Sequence, residues 1–356
     1  MELKITKTKT PKQLPDDSKL GFGQLFTDHM FNMDFSSEKG WHGARIEPYA
    51  PIMMDPATMV LHYGQTIFEG LKAYRTSGGM IQLFRPEQNM ARLNRSARLV
   101  CIPEVDEVFL LDAVKKLIAI DKEWVPRAPE TSLYIRPTVI ATDPYLGVRP
   151  SLTYRLFVIL SPVGAYYPEG FNPVKIWVTD EHVRTVVGGV GEAKTAANYA
   201  ASLYGAEKAK KAGYTQVLWL DAIKNRYVEE VGTMNIFFVI GDVLVTPHLG
   251  GSILPGITRD SVMTLAREWN IPVEERPISI DEVVAHHESG SLQEVFGSGT
   301  AAVISPVSHL AWKEHTLTVG DGKVGPMAQR FYTELTDIQY GRAEDPFGWI
   351  EPIDEG

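Results

Sequence analysis

The sequence has little of what would assign it to several large classes of protein. Its single cysteine, Cys101, excludes an internal disulfide and a cysteine-rich zinc site, and we expect this thiol to be buried and inert. The formal net charge is -9, so no basic field attracts nucleic acid or an anionic membrane. No apolar run approaches the length of a membrane span, and residues 1–10 lack the apolar core of a signal peptide. These absences predict a cytoplasmic enzyme or binding protein with no metal ion, nucleic acid or membrane as partner.

The length predicts more than one domain. A chain of 356 residues is too long for one compact core, so we expect about two domains. Residues 162–173 depart from the surrounding pattern because they are rich in glycine, proline and aromatic residues. We therefore predict an N-terminal domain over residues 1–162, an interdomain linker over 163–173 and a C-terminal domain over 174–356.

Hydrophobic periodicity predicts alternating helices and strands. Pro86 opens a helix whose apolar residues recur at helical spacing up to Val100. A second helix is predicted over 110–124, and residues 59–75 suggest a strand that enters a loop. In the second half we predict an alanine-rich helix over 197–212, a hairpin closed by Gly241-Asp242, and a helix over 258–269.

Lys194 lies in a segment of small residues, from Gly188 to Tyr199. An amine that is partly removed from water loses its proton more readily, and the neutral amine can form a Schiff base. An exposed lysine on a turn rich in glycine and alanine would fit this segment equally well.

Three further segments carry candidate chemistry. Glu229 and Glu230 precede an apolar strand, where one carboxylate could hold a protonated ring nitrogen; adjacent strand residues point to opposite faces, so at most one serves an inward site. The turn from Leu254 to Ser261 presents backbone N–H groups at a helix start, which is a natural anion site. The segment Phe296-Gly-Ser-Gly-Thr-Ala301 allows close backbone approach to a phosphate or carboxylate.

Each segment alone is also typical of ordinary surface structure. Together with Lys194 they match the requirements of pyridoxal phosphate: an amine, a carboxylate for the pyridine nitrogen and a phosphate site.

The same segments resemble the branched-chain amino acid aminotransferases, a family of fold-type IV pyridoxal-phosphate enzymes. The matching runs cover nearly the whole chain in order: Phe26-Thr-Asp-His-Met30, His62-Tyr63-Gly-Gln65, Phe68-Glu-Gly70, Leu83-Phe-Arg-Pro86, Tyr134-Ile-Arg-Pro137, Val163-Gly-Ala-Tyr166, Gly189-Val-Gly-Glu-Ala-Lys194, Glu230-Val-Gly-Thr-Met-Asn235, Leu254-Pro-Gly256, Phe296-Gly-Ser-Gly-Thr300 and Ile338-Gln-Tyr-Gly341. The resemblance implies an α+β fold with a smaller N-terminal α/β domain and a larger C-terminal domain built on a pseudo-barrel sheet.

The resemblance also implies roles for residues around pyridoxal 5'-phosphate. Lys194 matches the lysine that holds the cofactor covalently and moves the substrate's proton. Glu230 matches the carboxylate that binds the pyridine nitrogen, and Tyr199 matches the tyrosine whose hydroxyl binds the cofactor's ring oxygen. The phosphate ligands correspond to Arg92, Ile257, Thr258 and Thr300. The local pattern would not select Arg92, because it lies off the apolar stripe of its helix together with Arg95 and Arg98 and looks solvated.

Substrate groups follow in the same way. The resemblance implies an aromatic pocket from Phe22, Phe68, Tyr134 and Tyr166, although core packing would also explain these aromatic residues. Arg136 matches the arginine that binds the distal carboxylate of glutamate and 2-oxoglutarate. Thr300 and Ala301 match the turn whose backbone amides bind the substrate's α-carboxylate. Tyr63, Leu146 and Val148 match residues that complete the partner's site, which implies a homodimer.

The resemblance thus implies a reversible ping-pong transfer of the amino group of L-leucine, L-isoleucine or L-valine to 2-oxoglutarate. The products are branched 2-oxo acids and L-glutamate. Three alternatives remain open at this point: a D-amino acid aminotransferase, an aminodeoxychorismate lyase, and a cofactor-binding protein without catalysis.

Overall fold

The structure is a computed structural model that describes residues 1–164 and 170–353. The chain divides into two compact units. The first comprises Met1–Tyr166, Ala193–Ala196 and Asp337–Gly356, and the second comprises Tyr167–Glu192 and Ala197–Thr336. The break between them falls inside the predicted linker, yet two segments of the predicted range 174–356 cluster with the first unit. One of them does so because its strand Ile350–Pro352 pairs with Ile81–Phe84. The domain ranges therefore stay a prediction.

Eighteen strands and seven α-helices occur in the described residues. The strands are β1 (Lys4–Ile5), β2 (His29–Ser36), β3 (Gly40–Pro48), β4 (Thr66–Phe68), β5 (Leu71–Arg75), β6 (Ile81–Phe84), β7 (Ser132–Ala141), β8 (Thr153–Val163), β9 (Val174–Thr179), β10 (Gln216–Leu220), β11 (Val228–Val231), β12 (Asn235–Ile240), β13 (Val243–Thr246), β14 (Val273–Glu275), β15 (Leu292–Gly299), β16 (Val303–Trp312), β17 (His315–Thr318) and β18 (Ile350–Pro352). The helices are α1 (Met59–Tyr63), α2 (Pro86–Leu99), α3 (Glu107–Ile120), α4 (Ala196–Lys211), α5 (Ile257–Glu268), α6 (Ile280–Glu288) and α7 (Pro326–Gln339). None of the helices in these residues is long and apolar enough to cross a membrane.

The first unit is built on a nine-stranded sheet. Its strands follow the order β1-β3-β2-β8-β7-β5-β6-β18, and β4 pairs with β7. Helix α2 begins at Pro86, as predicted, because proline suits the first helical position. Its side chains Met90, Leu93 and Ala97 share one face and are buried in the same hydrophobic core as the inward residues of the sheet and of α3.

The second unit contains a separate nine-stranded sheet. Its order is β11-β10-β9-β16-β15-β12-β13-β14, with β17 on β16. The predicted hairpin of β12 and β13 is confirmed, and Gly241 adopts the positive φ of 57° that its tight turn requires. This sheet brings the acidic strand β11, the glycine-rich end of β15 and the start of α5 into one unit.

Two local predictions are wrong. Met59–Tyr63 forms a short helix rather than a strand. Gly64 ends this helix in the left-handed conformation, and its N–H donates to the Val60 carbonyl. Cys101 is exposed rather than buried. It follows the end of α2 with a φ of 55°, and its carbonyl accepts a hydrogen bond from the Tyr154 hydroxyl at 3.2 Å.

Candidate active site

Lys194 lies two residues before α4, and hydrogen bonds fix both its N–H and its carbonyl. Its N–H donates to the Ser96 hydroxyl at 2.9 Å, and its carbonyl accepts from the Phe68 N–H at 2.9 Å. The ammonium nitrogen lies 5.0 Å from the centre of the Phe68 ring. The hydroxyl of the next residue, Thr195, donates to the Thr66 carbonyl at 2.6 Å. These bonds hold a half-buried amine at a defined place beside β4.

Arg92 is buried, contrary to its solvated appearance in the helical pattern. Only 4% of it is exposed, and its Nε and Nη2 donate to the two carboxylate oxygens of Glu69 at 2.7 and 2.9 Å. The local prediction fails because α2 buries two faces: an apolar one, and a polar one formed by Asn89, Arg92 and Ser96 at helical spacing. Arg95 and Arg98 are exposed, as expected.

Glu69 is a functional candidate that sequence reasoning missed. It is fully buried and also accepts from the Asn89 amide at 2.8 Å. Burial alone would raise the pKa of this carboxyl, but the charges of Arg92 and Lys194 hold the pKa below its usual value. The available signal was a carboxylate inside an otherwise apolar strand region, which requires a buried cation nearby.

Four predicted substrate residues meet in the first unit. Phe22 and Tyr134 pack edge to face with ring centres 5.1 Å apart. The Arg136 guanidinium lies 4.7 Å from the Phe68 ring centre and 5.1 Å from that of Tyr134, and its Nη2 donates to the Tyr134 hydroxyl at 3.0 Å. Tyr166, the fourth predicted aromatic residue of the pocket, lies outside the described residues.

Two details of this cluster concern space and hydrogen bonding. A Cβ on Gly70 would stand 2.0 Å from the Tyr134 hydroxyl oxygen, so only glycine leaves room for that side chain. The Nε of Arg136 is buried and has no hydrogen-bond partner among residues 1–164 and 170–353. A buried N–H donor without an acceptor costs free energy, which an anionic ligand would recover.

The residues predicted to reach a partner's site form an exposed apolar patch. Tyr63, Leu146 and Val148 are 41%, 61% and 84% exposed, and the Tyr63 hydroxyl donates to the Leu146 carbonyl. Large apolar side chains exposed together are typical of a surface that another chain covers.

Glu230 and Tyr199 line one cavity in the second unit. This cavity has a volume of about 10 Å³, enough for one water, and Arg184 also lines it. The Arg184 Nε lies 2.5 Å from Glu230 Oε2, and Glu230 is 3% exposed. Arg184 was missed by sequence reasoning, because its acidic partner is distant in the sequence and no local pattern marks it.

Asn235 connects Glu230 to the start of α5. Its amide nitrogen donates to Glu230 Oε1 at 3.3 Å and to the Leu254 carbonyl at 3.0 Å. A Cβ on Gly256 would stand 2.0 Å from the Asn235 side-chain oxygen, so this close approach requires glycine. As the N-cap of α5, Gly256 brings no side chain to the helix start, which begins with the predicted phosphate ligands Ile257 and Thr258.

Thr300 and Ala301 lie in the turn between β15 and β16. The turn closes on Val303, which has a positive φ of 60° and pairs with Gly299. Both turn residues are half-buried. The second unit thus contains Tyr199, Glu230, the α5 start and this turn, while the first contains Lys194, Arg92 and the aromatic cluster.

Comparison with known proteins identifies the class. The family model described as amino-transferase class IV matches residues 66–310. Two relatives come from Bacillus subtilis (strain 168). Branched-chain-amino-acid aminotransferase 2 is 56% identical over 99% of this chain and 97% of its own, and branched-chain-amino-acid transaminase 1 is 56% identical over 98% of both chains.

Solved structures agree with these relatives. The branched-chain amino acid aminotransferase of Escherichia coli superposes with a TM-score of 0.78 at 28% identity, covering 92% of this chain and 99% of its own. The T.th. branched-chain amino acid aminotransferase superposes with a TM-score of 0.75 at 26% identity, covering 96% and 100%, both in complex with N-(5'-phosphopyridoxyl)-L-glutamate and in complex with 4-methylvaleric acid. The predicted fold-type IV architecture is confirmed. The chain belongs to the amino-transferase class IV family, among its branched-chain-amino-acid aminotransferases.

Proposed function

We propose that this chain uses pyridoxal 5'-phosphate to transfer the amino group of L-leucine, L-isoleucine or L-valine to 2-oxoglutarate, giving branched 2-oxo acids and L-glutamate. The observation that carries the proposal is the buried Glu230 carboxylate, with Arg184 beside it and Tyr199 in the same cavity. A carboxylate placed in this way suits a protonated pyridine nitrogen. The T.th. enzyme offers a parallel, because it binds both a glutamate conjugate and a branched apolar acid.

The residues present fit this cofactor. Lys194 supplies an amine for the aldehyde, and Arg92 supplies a buried guanidinium, already aligned by Glu69, for the phosphate. The start of α5 adds backbone N–H groups and the positive end of a 12-residue helix, and the close approach of Asn235 to Gly256 fixes that start against Glu230. In this proposal Thr258 and Thr300 contribute further phosphate contacts beside Ile257.

Lys194, Glu230 and Tyr199 would each have a separate role in the reaction. Bound pyridoxal phosphate supplies an electron sink that makes the α-hydrogen of an amino acid removable. Lys194 would move the proton at the substrate's α-carbon, and Glu230 would keep a proton on the pyridine nitrogen. Tyr199 would donate its hydroxyl hydrogen to the cofactor's ring oxygen.

One pocket must accept an apolar side chain and a carboxylate in turn. The rings of Phe22, Phe68 and Tyr134 offer apolar walls to a branched side chain, and Tyr166 completes them in our proposal. Arg136 lies over two of these rings with a buried Nε that has no acceptor in the described part of the chain, so it can bind the distal carboxylate of 2-oxoglutarate. The amides of Thr300 and Ala301 would bind the α-carboxylate.

We also propose that the functional form is a homodimer. The exposed apolar patch of Tyr63, Leu146 and Val148 supports this assembly, since a second copy would cover it. These three residues would then complete the pocket of the partner subunit.

A direct assay tests the proposed function. Purified protein reconstituted with pyridoxal phosphate should absorb visible light, and L-leucine should remove that absorption while D-alanine should not. With 2-oxoglutarate present, L-leucine should yield L-glutamate and 4-methyl-2-oxopentanoate in equal amounts. Borohydride reduction and peptide mapping should place the cofactor on Lys194. A response to the D-isomer alone, or attachment at another lysine, would refute the proposal.

A further inference from the structure

The second unit contains another cavity, which is lined by Glu229 of β11 but not by Glu230. Its volume is about 390 Å³, within the range of small-molecule pockets. Neither Tyr199 nor Arg184 lines it. Its walls include the apolar side chains Val187, Ile223 and Ile253, and its polar lining includes Glu229, Ser252 and Lys224. The proposed amino transfer leaves this cavity without a role.

Glu229 is the unusual group in this lining. Glu229 is 7% exposed, and one of its carboxylate oxygens accepts a hydrogen bond from the Ser252 hydroxyl. The other oxygen, Oε2, is buried and has no hydrogen-bond partner within residues 1–164 and 170–353. Burial, reinforced by the adjacent Glu230, raises the pKa of this carboxyl against the effect of the Ser252 hydroxyl. A carboxylate oxygen without a donor costs free energy, and a ligand that brings a positively charged N–H would remove that cost.

The other acid of the lining does not compete for such a ligand. Asp221 accepts hydrogen bonds from four backbone N–H groups of its own loop, including those of Lys224 at 2.7 Å and Tyr227 at 2.7 Å. Asp221 therefore orders the loop that carries the exposed Lys224. The cavity combines one buried acceptor, apolar walls and a cation at an exposed position.

We propose that this cavity is a second small-molecule site, which binds a compact aliphatic compound through a protonated nitrogen on Glu229. The apolar walls select an aliphatic body, and the buried oxygen selects the N–H donor. Such a nitrogen occurs in simple amines and in amino acids. In an amino acid the carboxylate would additionally contact Lys224.

Two tertiary amines test the site without reacting with the cofactor. N,N-dimethylisobutylamine and N,N-dimethyl-L-valine each carry one N–H when protonated and cannot condense with an aldehyde. Isothermal titration calorimetry of the full chain, loaded with pyridoxal phosphate, should show saturable binding of the first probe at one site per chain. Glu229→Gln should weaken this binding at least about tenfold, which corresponds to roughly 1.4 kcal/mol. Glu288→Gln, which removes an exposed carboxylate of α6, should bind the probe like the wild type.

The variant Lys224→Gln distinguishes the two sources of the nitrogen. If amino acids are the ligands, this change weakens the valine derivative and leaves the amine unaffected; an equal effect on both identifies a simple amine. Val187→Trp provides a second test should Glu229→Gln fail to fold, because Val187 is 57% exposed and a larger ring there would fill the cavity. The absence of saturable binding, or binding unchanged in both cavity variants, overturns the proposal. Because calorimetry needs no turnover, its result is independent of the proposed amino transfer.

Discussion

Glu229 and Glu230 are consecutive residues of β11 whose carboxylates line two different cavities. Ser252 and Arg184 connect them. The Ser252 hydroxyl donates to Glu229, while its carbonyl accepts from Arg184 Nη2 at 2.9 Å, and the Nε of that arginine lies 2.5 Å from Glu230. The alternation of a strand therefore gives two neighbouring acids separate surroundings.

The first prediction concerns Glu230. Glu230→Gln removes the negative charge proposed to keep the pyridine nitrogen protonated, so kcat should fall by about a hundredfold or more in both half-reactions. The same change at Glu229 should have a far smaller effect on kcat, because that carboxylate lines the other cavity. Single-turnover rates with L-leucine and with L-glutamate measure both variants. Comparable losses in the two would remove Glu230 from its proposed role.

Arg136 should matter for one substrate class only. Arg136→Gln removes the proposed partner of the distal carboxylate, a charged hydrogen bond worth about 1.5–3 kcal/mol. The kcat/KM for 2-oxoglutarate should fall by roughly 10- to 100-fold, while that for L-leucine should change little. Arg155→Gln, which replaces an arginine paired with Asp34 in the same unit, is the matched control. Equal damage to both substrates would contradict the assignment.

The Glu69–Arg92 pair should dominate local stability. Glu69→Gln leaves the guanidinium buried without its counter-charge, at about 3–5 kcal/mol of unfolding free energy. Because the folded-state pKa of Glu69 is lowered, its contribution is present above the unfolded pKa and is lost as the pH falls through the folded value. The unfolding free energies of the wild type and the variant, measured by urea denaturation, should therefore differ most near neutral pH and become similar in acid. A difference that does not depend on pH would argue against a charged pair.

Lys72 predicts a second rise of stability with pH, in the alkaline range. Burial lowers its pKa from 10.5 to about 8, so the folded chain binds fewer protons than the unfolded chain between these values. Below pH 8 the buried ammonium imposes its full free-energy penalty on the folded state, and this penalty disappears as the pH rises towards 10.5. Relative to Lys72→Met, the wild type should gain about 3 kcal/mol of unfolding free energy across that window. A constant difference between the two proteins would show that burial does not disfavour this charge.

Mixed dimers test whether Tyr63 serves the partner's pocket. Lys194→Ala and Tyr63→Ala chains should each be impaired alone. If Tyr63 acts across the interface, a mixed dimer regains one intact site, and random mixing should restore up to about a quarter of the wild-type activity. If Tyr63 serves its own chain, mixing restores nothing. Activity measured after co-refolding equal amounts of the two variants decides between these outcomes.

Local rules predicted much of the secondary structure and fewer of the site contacts. Pro86 and the apolar spacing that follows it identified α2, and Gly241-Asp242 identified the β12–β13 hairpin, because backbone geometry restricts these positions. The same spacing made Arg92 look solvated. Arg92 can be buried because it pairs with Glu69, which lies between β4 and β5. The periodicity of the helix contains no information about that partner.

The sequence alone determined the residue types needed for amino transfer: a lysine among small residues, an acid at a strand entry, and turns that present backbone N–H groups to anions. Its family resemblance followed from their order along the chain. Tertiary structure decided which charges are buried together, since Glu69 meets Arg92, and Arg184 meets Glu230, only after strands and loops distant in sequence have packed. It also decided that Glu229, beside Glu230, lines a cavity of its own. Burial and pairing set the energy of a charge, and both depend on neighbours that the chain acquires by folding.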